Sequence, residues 1–331
     1  MEVKESKEES ILNRMLVPLI WVSVAVLLWF LTTQPLFRAG VSQKNPVKID
    51  PHRLKKHVEV LAGDLSPRDA SHPENLNKAG EYIRSELKES GGSIKELSYG
   101  IGGNRYSLIM AHFGPKSGER IVIGAHYDSA RDSPGADDNA SGVAGLIELA
   151  RILGNKDLPL QVELVAYPIE EPPYFRTEVM GSAVHASLLR EQNARVRFMI
   201  SLESIGYFTD DPYTQSFPTP ILRPFYPSKG DFIAVVGRFR DALPVRKIKK
   251  AIRGAGNLPA YSFNGWSIIP GVDLSDHRSY WKAGYSAVMV TDTAFYRNEN
   301  YHTSNDTPDT LDYERMARVV EGIYYAVIDQ K

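Results

Sequence analysis

The stretch that decides the fold of this sequence is residues 124–142, G-A-H-Y-D-S-A-R-D-S-P-G-A-D-D-N-A-S-G. It follows the apolar run 120–125, which predicts a buried strand ending at His126. His126 and Asp128 are two residues apart, so in extended backbone their side chains point to the same face. A carboxylate beside a histidine often accepts a hydrogen bond from the ring nitrogen that does not bind metal. The pair therefore indicates a metal ligand and the residue that orients it.

Acidic residues follow this strand at the start of a predicted helix, residues 141–153. After a turn made by Ser133, Pro134 and Gly135 come Asp137, Asp138 and Asn139. Taken alone, such a cluster is more often a helix N-cap, and a lone His-x-Asp is more often a surface pair. A metal site therefore needs further ligands elsewhere in the chain.

The composition excludes some functional classes. The chain has 331 residues, 43% of them hydrophobic and 24% charged, which suits one large globular domain plus an appendage. The net charge of −1 argues against a nucleic-acid partner. Because there is no cysteine, a metal would have to be held by His, Asp and Glu.

The N-terminal region predicts a membrane anchor. Residues 15–37 contain no charged side chain and would span ~35 Å as a helix, enough to cross the hydrocarbon core of a lipid bilayer. No clear signal-peptidase site follows, which favours an uncleaved signal-anchor. Residues 1–14 are expected to form a short tail and residues 38–49 a linker. Lysine and arginine flank both ends of this segment, so their distribution does not decide its orientation in the membrane. We expect the large domain to lie outside the cytoplasm because an N-terminal anchor before a large domain commonly acts as a signal-anchor.

Residues 50–331 predict one α/β domain. Strand, helix and strand alternate, with polar residues at the strand ends, which indicates a mixed, largely parallel central sheet flanked by helices. The aromatic and proline-rich loop 207–230 is expected to form a wall of the substrate pocket. His57 and His72 are expected at the surface, and so is a basic helix face with four residues: Lys247, Lys249, Lys250 and Arg253.

Two further strands are followed by acids. Glu170 and Glu171 come after the strand 160–166, and Pro172 and Pro173 bias the backbone there away from helix. Neighbouring side chains in extended backbone diverge, so one carboxylate can bind metal while the other acts as a base. Glu203 ends another strand, although alone it would more often be an exposed acid.

A fifth ligand is expected from His302, which lies in a polar turn before the last helix. Two histidines and three carboxylates suit zinc better than manganese or cobalt. Five ligands are too many for one catalytic zinc but suit two ions that share a carboxylate. The candidate ligands are His126, Asp138, Glu171, Glu203 and His302.

The motifs together resemble the co-catalytic zinc aminopeptidase family, which also contains glutamate carboxypeptidases and glutaminyl cyclases. They are G-A-H-Y-D-S, P-G-A-D-D-N-A-S-G, E-E-P-P, S-L-E-S-I-G-Y and Y-H-T-S-N-D-T-P-D-T-L-D. The resemblance implies a zinc-exopeptidase fold and two zinc ions bridged by Asp138, with His126 and Glu203 on one ion and Glu171 and His302 on the other.

The resemblance also implies the catalytic roles. Glu170 matches the general base, which takes a proton from a metal-bridging water during peptide-bond hydrolysis, and Asp128 matches the residue that orients His126. His277 and Tyr280 are candidates for steadying the oxyanion. The expected function is a membrane-anchored aminopeptidase acting on peptides.

Three alternatives stay open at this point. The family's aminopeptidases often have aspartate at the position of Glu203, and the longer side chain leaves room for a one-zinc, glutaminyl-cyclase-like enzyme. A carboxypeptidase would need a cation for the substrate carboxylate; Arg176, Arg223 and Arg278 are nearby in sequence, but nothing in the sequence distinguishes them from surface arginines. A non-catalytic ectodomain on the same fold would lack a ligand or the base, and neither is missing.

Overall fold

The computed structural model describes residues 2–34, 47–154, 156–256 and 258–330, and within them the chain builds a sheet of eight strands. The strands are β1 (Ser93–Ile101), β2 (Asn104–Phe113), β3 (Arg120–His126), β4 (Gln161–Tyr167), β5 (Val196–Glu203), β6 (Ile233–Gly237), β7 (Ala260–Asn264) and β8 (Ala287–Thr291).

The spatial order of the strands is β1-β2-β4-β3-β5-β8-β6-β7. The four central strands β4, β3, β5 and β8 are parallel. Antiparallel pairing joins β1 to β2, β2 to β4 and β6 to β8, while β7 runs parallel to β6 at one edge. The predicted mixed, largely parallel sheet is therefore confirmed.

Helices cover both faces of the sheet. They are α1 (Glu2–Thr33), α2 (Pro51–Glu59), α3 (Pro73–Glu89), α4 (Gly142–Leu153), α5 (Gly181–Glu191), α6 (Ala242–Gly256), α7 (His277–Lys282) and α8 (Tyr313–Ile328). In β3, Ile121 and Ile123 belong to the apolar cluster that includes residues of α2, α3, α4, α6 and α8, whereas Val122 belongs to the cluster that includes residues of α5 and α7. This alternation explains why β3 is apolar at successive positions from Ile121 to Ile123, on both faces of the sheet.

The N-terminal helix is longer than the sequence predicts. Helix α1 starts at Glu2, so residues 2–14, expected as a tail, are helical; glutamate and lysine have high helix propensity and let the helix continue. Residues Leu16–Thr33 are long and apolar enough to cross a membrane, and their side chains are mostly exposed. Residues 35–37 and most of the predicted linker lie outside the described residues.

Two residues expected at the surface are buried. His57 is 3% exposed because α2 packs against α4, and its Nδ1 lies 2.6 Å from the hydroxyl of Tyr82 on α3. Lys249 is also 3% exposed, because α6 packs against the end of α1. Both burials come from contacts between distant segments, which the local sequence pattern does not encode.

Helix α4 carries a buried carboxylate that is held by α2. Glu148 is fully buried and accepts hydrogen bonds from Arg53 Nε (2.8 Å) and Arg151 Nε (2.9 Å), while His57 Nε2 lies 3.5 Å away. Burial raises the pKa of Glu148, but the hydrogen bonds from these three neighbours outweigh it and lower the pKa to about 2.

We predict that Glu148→Gln destabilises the protein by about 2 kcal/mol at pH 7, and by less as the pH falls. The folded-state pKa lies below the unfolded value, so the stabilisation is present above about pH 4.5 and is lost as pH falls through about 2. Urea unfolding at pH 7 and at pH 3 measures the difference. Exposed Glu89→Gln is the control, and an equal loss of stability at both pH values would contradict the account.

Candidate metal and catalytic site

The site lies where three neighbouring parallel strands end. His126 is the last residue of β3, Glu203 is the last residue of β5, and Glu170 and Glu171 follow the end of β4 at Tyr167. Because β4, β3 and β5 are adjacent and parallel, their C-terminal ends meet at one edge of the sheet. The sheet topology therefore brings these four residues together.

Asp138 reaches the same edge from the turn that precedes α4. The carboxylate of Asp306 accepts hydrogen bonds from the backbone N–H groups of Asp137 (2.9 Å) and Asp138 (3.1 Å). On the other side, the fully buried guanidinium of Arg68 donates to the carbonyl oxygens of Pro134 (2.8 Å) and Gly135 (3.0 Å). The loop that carries Asp138 is thus fixed from two directions.

The five predicted ligands form two groups that share Asp138. His126 Nε2 lies 3.3 Å from Asp138 Oδ1 and 3.3 Å from Glu203 Oε2. His302 Nε2 lies 3.0 Å from Asp138 Oδ2 and 3.2 Å from Glu171 Oε1. Within each group the candidate ligand atoms all lie within 4.8 Å of one another. The structure therefore places these residues in the pairing that the family resemblance implies.

The residues present fit zinc. His126 Nε2, Asp138 Oδ1 and Glu171 Oε1 are buried and have no hydrogen-bond partner among the described residues. Buried polar atoms are almost always satisfied, so three such atoms in one cluster call for a cation. Imidazole and carboxylate are ligands that zinc accepts. That these residues bind metal stays a prediction.

Asp128 connects the histidine to the acidic pair. Its Oδ1 lies 3.1 Å from His126 Nδ1, and the backbone N–H groups of Glu170 (2.9 Å) and Glu171 (3.0 Å) donate to Oδ2. When Nδ1 carries the proton for this bond, Nε2 offers its lone pair to the ligand group. One fully buried carboxylate thus orients a candidate ligand and the segment that carries the candidate base.

Burial and repulsion between neighbouring carboxylates raise the pKa values of Glu170 and Glu171. Burial and the charge of Asp138 raise the pKa of Glu171 to about 8. Burial raises the pKa of Glu170 well above its ordinary value, and the Glu171 and Glu203 carboxylates raise it further. For His302, burial lowers the pKa, but hydrogen bonds to Asp138 and Glu171 outweigh it and raise the pKa to about 10. A bound cation would have to displace such protons, so metal affinity is expected to increase with pH.

Glu203 is held in place by residues that the sequence analysis did not assign. Ser275 Oγ donates to Glu203 Oε2 (2.7 Å) and lies 2.8 Å from Ser201 Oγ. Asp276, the next residue, is fully buried, and burial raises its pKa to about 7. Although its side chain is longer than that of aspartate, Glu203 therefore keeps its carboxylate beside His126.

His277 and Tyr280 do not face the site. Tyr280 is fully buried in the apolar cluster beneath α7, with its hydroxyl 2.8 Å from that of Tyr167 and 2.6 Å from His185 Nδ1. His277 Nε2 donates to the carbonyl oxygen of Val272 (2.8 Å). Since α7 starts at His277, its turn directs both side chains into the core, and the predicted oxyanion roles are not supported by the geometry.

A cleft of about 820 Å³, including its open mouth, adjoins the site. Glu203 and Tyr301 line the end of the cleft nearest the candidate metal ligands. The ring of Tyr301 stacks on that of His302 with a centroid distance of 3.9 Å. The loop 207–230 supplies part of the wall, as the sequence predicts, through Gln215, Ser216, Phe217, Pro218, Leu222 and Tyr226. The remaining walls are mostly apolar and aromatic.

Comparison with known proteins relates the chain to peptidases. Residues 108–327 match the family model described as "Peptidase family M28". The protein "Uncharacterized protein YfbL" of Escherichia coli strain K12 is 46% identical over 294 residues, which cover 86% of this chain and 90% of that protein. "Leucine aminopeptidase 1" of Blastomyces gilchristii is 27% identical over 241 residues, which cover 66% of this chain and 55% of that protein.

A solved structure shows the same fold. The glutaminyl cyclase of Fimbriiglobus ruber superposes with a TM-score of 0.70 and 20% identity, covering 88% of this chain and 98% of that chain. At this identity the likeness concerns the fold alone. Sequence relatives and structural neighbours thus include both a peptidase and a cyclase.

We predict that Asp128→Asn lowers zinc affinity by about 10- to 100-fold, because losing the carboxylate that orients a ligating histidine typically costs this much. Asparagine can still accept the hydrogen bonds from the backbone of Glu170 and Glu171, so the fold should persist. Zinc titration calorimetry on the chelator-treated protein measures the effect. Exposed Asp64→Asn is the matched control, and an unchanged affinity in Asp128→Asn would show that the carboxylate does not serve the metal site.

Proposed function

Because the chain belongs to peptidase family M28, we propose that it is a membrane-anchored zinc aminopeptidase that hydrolyses N-terminal peptide bonds. The observation that carries this proposal is the pair of histidine–carboxylate groups sharing Asp138, with Glu170 beside them and an apolar cleft ending at Glu203. A one-ion enzyme would not need both groups to be complete.

The proposal assigns one zinc to each group. His126, Asp138 and Glu203 would hold one ion, and Asp138, Glu171 and His302 the other. When bound, zinc would supply Lewis acidity, which activates water and polarises a carbonyl oxygen.

Glu170 is proposed as the general base. Its side chain is buried beside the ligand Glu171, and its backbone is fixed by Asp128. A carboxylate with a raised pKa can take a proton from the attacking water and later give it to the leaving amine. Bound cations would lower this pKa again, which brings Glu170 toward the range in which it accepts a proton at neutral pH.

The cleft suits an N-terminal residue with a large apolar side chain. Phe232, Tyr261, Phe263 and Met289 contribute to walls that are mainly apolar. The side-chain amide of Gln215 is one of the few polar groups in the cleft, and it is already hydrogen-bonded within the protein. Its Nε2 donates to the carbonyl oxygen of Ser216, and its Oε1 accepts from Arg297 Nε. A substrate amine would lie near Glu203 and the other site carboxylates, whose charge attracts cations.

The alternatives have less support. A cyclase needs a partner for the glutamine amide, and the apolar cleft offers few uncommitted polar groups; the shared fold with a glutaminyl cyclase is what keeps this alternative open. A carboxypeptidase needs a cation for the substrate carboxylate, but Arg176 and Arg278 both bind Asp273, and Arg223 is exposed and does not line the cleft. A non-catalytic ectodomain is disfavoured because the ligand set and Glu170 are all in place.

Anchoring in a lipid bilayer is proposed from helix α1. Its segment Leu16–Thr33 is apolar and exposes Val17, Ile20 and Trp21 by more than half of their surface. Apolar surface of this extent on one isolated helix is more stable in lipid than in water. The catalytic domain is proposed to lie outside the cytoplasm.

We predict that Glu170→Gln lowers kcat on leucyl p-nitroanilide by at least about 100-fold, since general-base catalysis contributes this much or more. Zinc content should stay equal to that of the wild type, because Glu170 is not among the proposed ligands. The measurement combines steady-state kinetics of the detergent-solubilised chain with metal analysis. Exposed Glu89→Gln is the matched control.

Retained hydrolysis in Glu170→Gln would contradict the role of Glu170. Ammonia release from a peptide with N-terminal glutamine, without any peptide-bond cleavage by the wild type, would contradict the aminopeptidase assignment and support a cyclase. A zinc-loaded wild type that does neither would support a non-catalytic domain.

A further inference from the structure

The C-terminal end of helix α1 covers the edge of the sheet. Strand β7 is the last strand of the sheet, and within the described part of the chain no further strand pairs with its outer side. Trp29 Nε1 donates to the carbonyl oxygen of Asn264 (3.1 Å), and the N–H of Asn264 donates to Thr33 Oγ1 (3.3 Å). Outward-facing backbone groups of an edge strand need such partners when they are buried. Side chains of α1 therefore satisfy backbone groups that a neighbouring strand would otherwise bond.

Helix α6 secures the same end of α1 with two cations. Arg246 donates to the carbonyl oxygens of Leu31 (2.6 Å) and Thr32 (2.6 Å), and Lys249 Nζ donates to that of Gln34 (2.7 Å). The last carbonyls of a helix lack intrahelical partners and carry partial negative charge, so cations stabilise them. A buried ammonium such as that of Lys249 in turn needs acceptors.

The contact continues into the cleft. The ring of Trp29 packs edge-on against Phe225, at 5.3 Å between centroids, and lies 6.3 Å from Phe263, which lines the cleft. Tyr226, another lining residue, donates its hydroxyl to the carbonyl oxygen of Ser262 (2.8 Å). Ser262 Oγ in turn donates to the carbonyl oxygen of Thr33 (2.5 Å). Two aromatic residues of the cleft wall are therefore held by residues that contact α1.

We propose that Trp29 and Thr33 are positioning residues for the cleft, so that the end of the N-terminal helix sets the wall formed by Tyr226 and Phe263 and thereby favours large apolar side chains. The inference rests on the proposed function in taking the cleft as the site of the substrate's N-terminal side chain. On this account α1 is part of the substrate site as well as an anchor, and a domain without it would have an altered cleft.

The test uses the full chain in detergent micelles with three substitutions. Trp29→Ala removes the aromatic contact, Thr33→Val removes only the hydroxyl, and Trp21→Ala is the matched control because Trp21 lies on the same helix and is 68% exposed. The amide hydrogen exchange rates of residues 260–264 measure how firmly strand β7, which forms part of the cleft wall, is held, and this measurement does not require an active enzyme. KM and kcat for leucyl and alanyl p-nitroanilides report the specificity.

We expect exchange of the Asn264 amide to rise about 10-fold in Thr33→Val, because its acceptor is lost. In Trp29→Ala, KM for the leucyl substrate should rise about three-fold or more, with kcat and the alanyl KM within two-fold of wild type. Trp21→Ala should match the wild type in every measurement. Thr33→Val also covers the case in which Trp29→Ala fails to fold.

Unchanged exchange in both variants would overturn the inference, and so would faster exchange with an unaltered leucyl KM in an active enzyme. If the wild type hydrolyses neither substrate but exchange still rises in Thr33→Val and Trp29→Ala, the proposed function fails while the coupling of α1 to the cleft wall is supported. The two failures are therefore distinguishable.

Discussion

An excess of buried negative charge at one edge of the sheet is the constraint on which the site depends. Six carboxylates, each no more than 6% exposed, surround two histidines, His126 and His302; they are Asp128, Asp138, Glu170, Glu171, Glu203 and Asp276. Burying ionised carboxylates without compensation is costly, so the cluster must take up protons or cations. The raised pKa values of Glu170, Glu171 and Asp276 correspond to the first of these, the uptake of protons. Zinc bound in two groups, as proposed above, would be the second.

The fold can hold this charge because hydrogen bonds from neighbouring residues fix the segments that carry the carboxylates. Asp128 ties the end of β3 to the segment after β4, Asp306 and Arg68 fix the loop that carries Asp138, and Ser275 fixes Glu203. Asp128, Asp306 and Arg68 act on backbone groups or on the far side of a histidine, whereas Ser275 donates to Glu203 Oε2, the oxygen that also lies 3.3 Å from His126 Nε2. Three candidate ligand atoms, His126 Nε2, Asp138 Oδ1 and Glu171 Oε1, keep no hydrogen-bond partner among the described residues, which leaves them available to a metal ion.

The clustering of the candidate ligands was predictable because position and residue type agree. His126, Glu171 and Glu203 follow buried strands, and parallel neighbouring strands end at one edge. The role of Arg68 was not predictable from the sequence, because Arg68 binds backbone carbonyl oxygens of a loop that is distant in the chain. His277 and Tyr280 stand close in sequence to Ser275 and Asp276, but proximity does not reveal which side of a short helix faces the core; the long-range packing of α7 decides that. The burial of His57 and Lys249 depends in the same way on contacts that no local pattern records.

The most direct test of the account is anomalous X-ray diffraction at the zinc absorption edge from crystals of the full chain prepared with zinc. The account predicts two anomalous peaks flanking Asp138, one among His126 and Glu203 and the other among Glu171 and His302. A single peak would contradict the two-ion site and favour the cyclase-like alternative. No peak in either group would contradict the metal site itself.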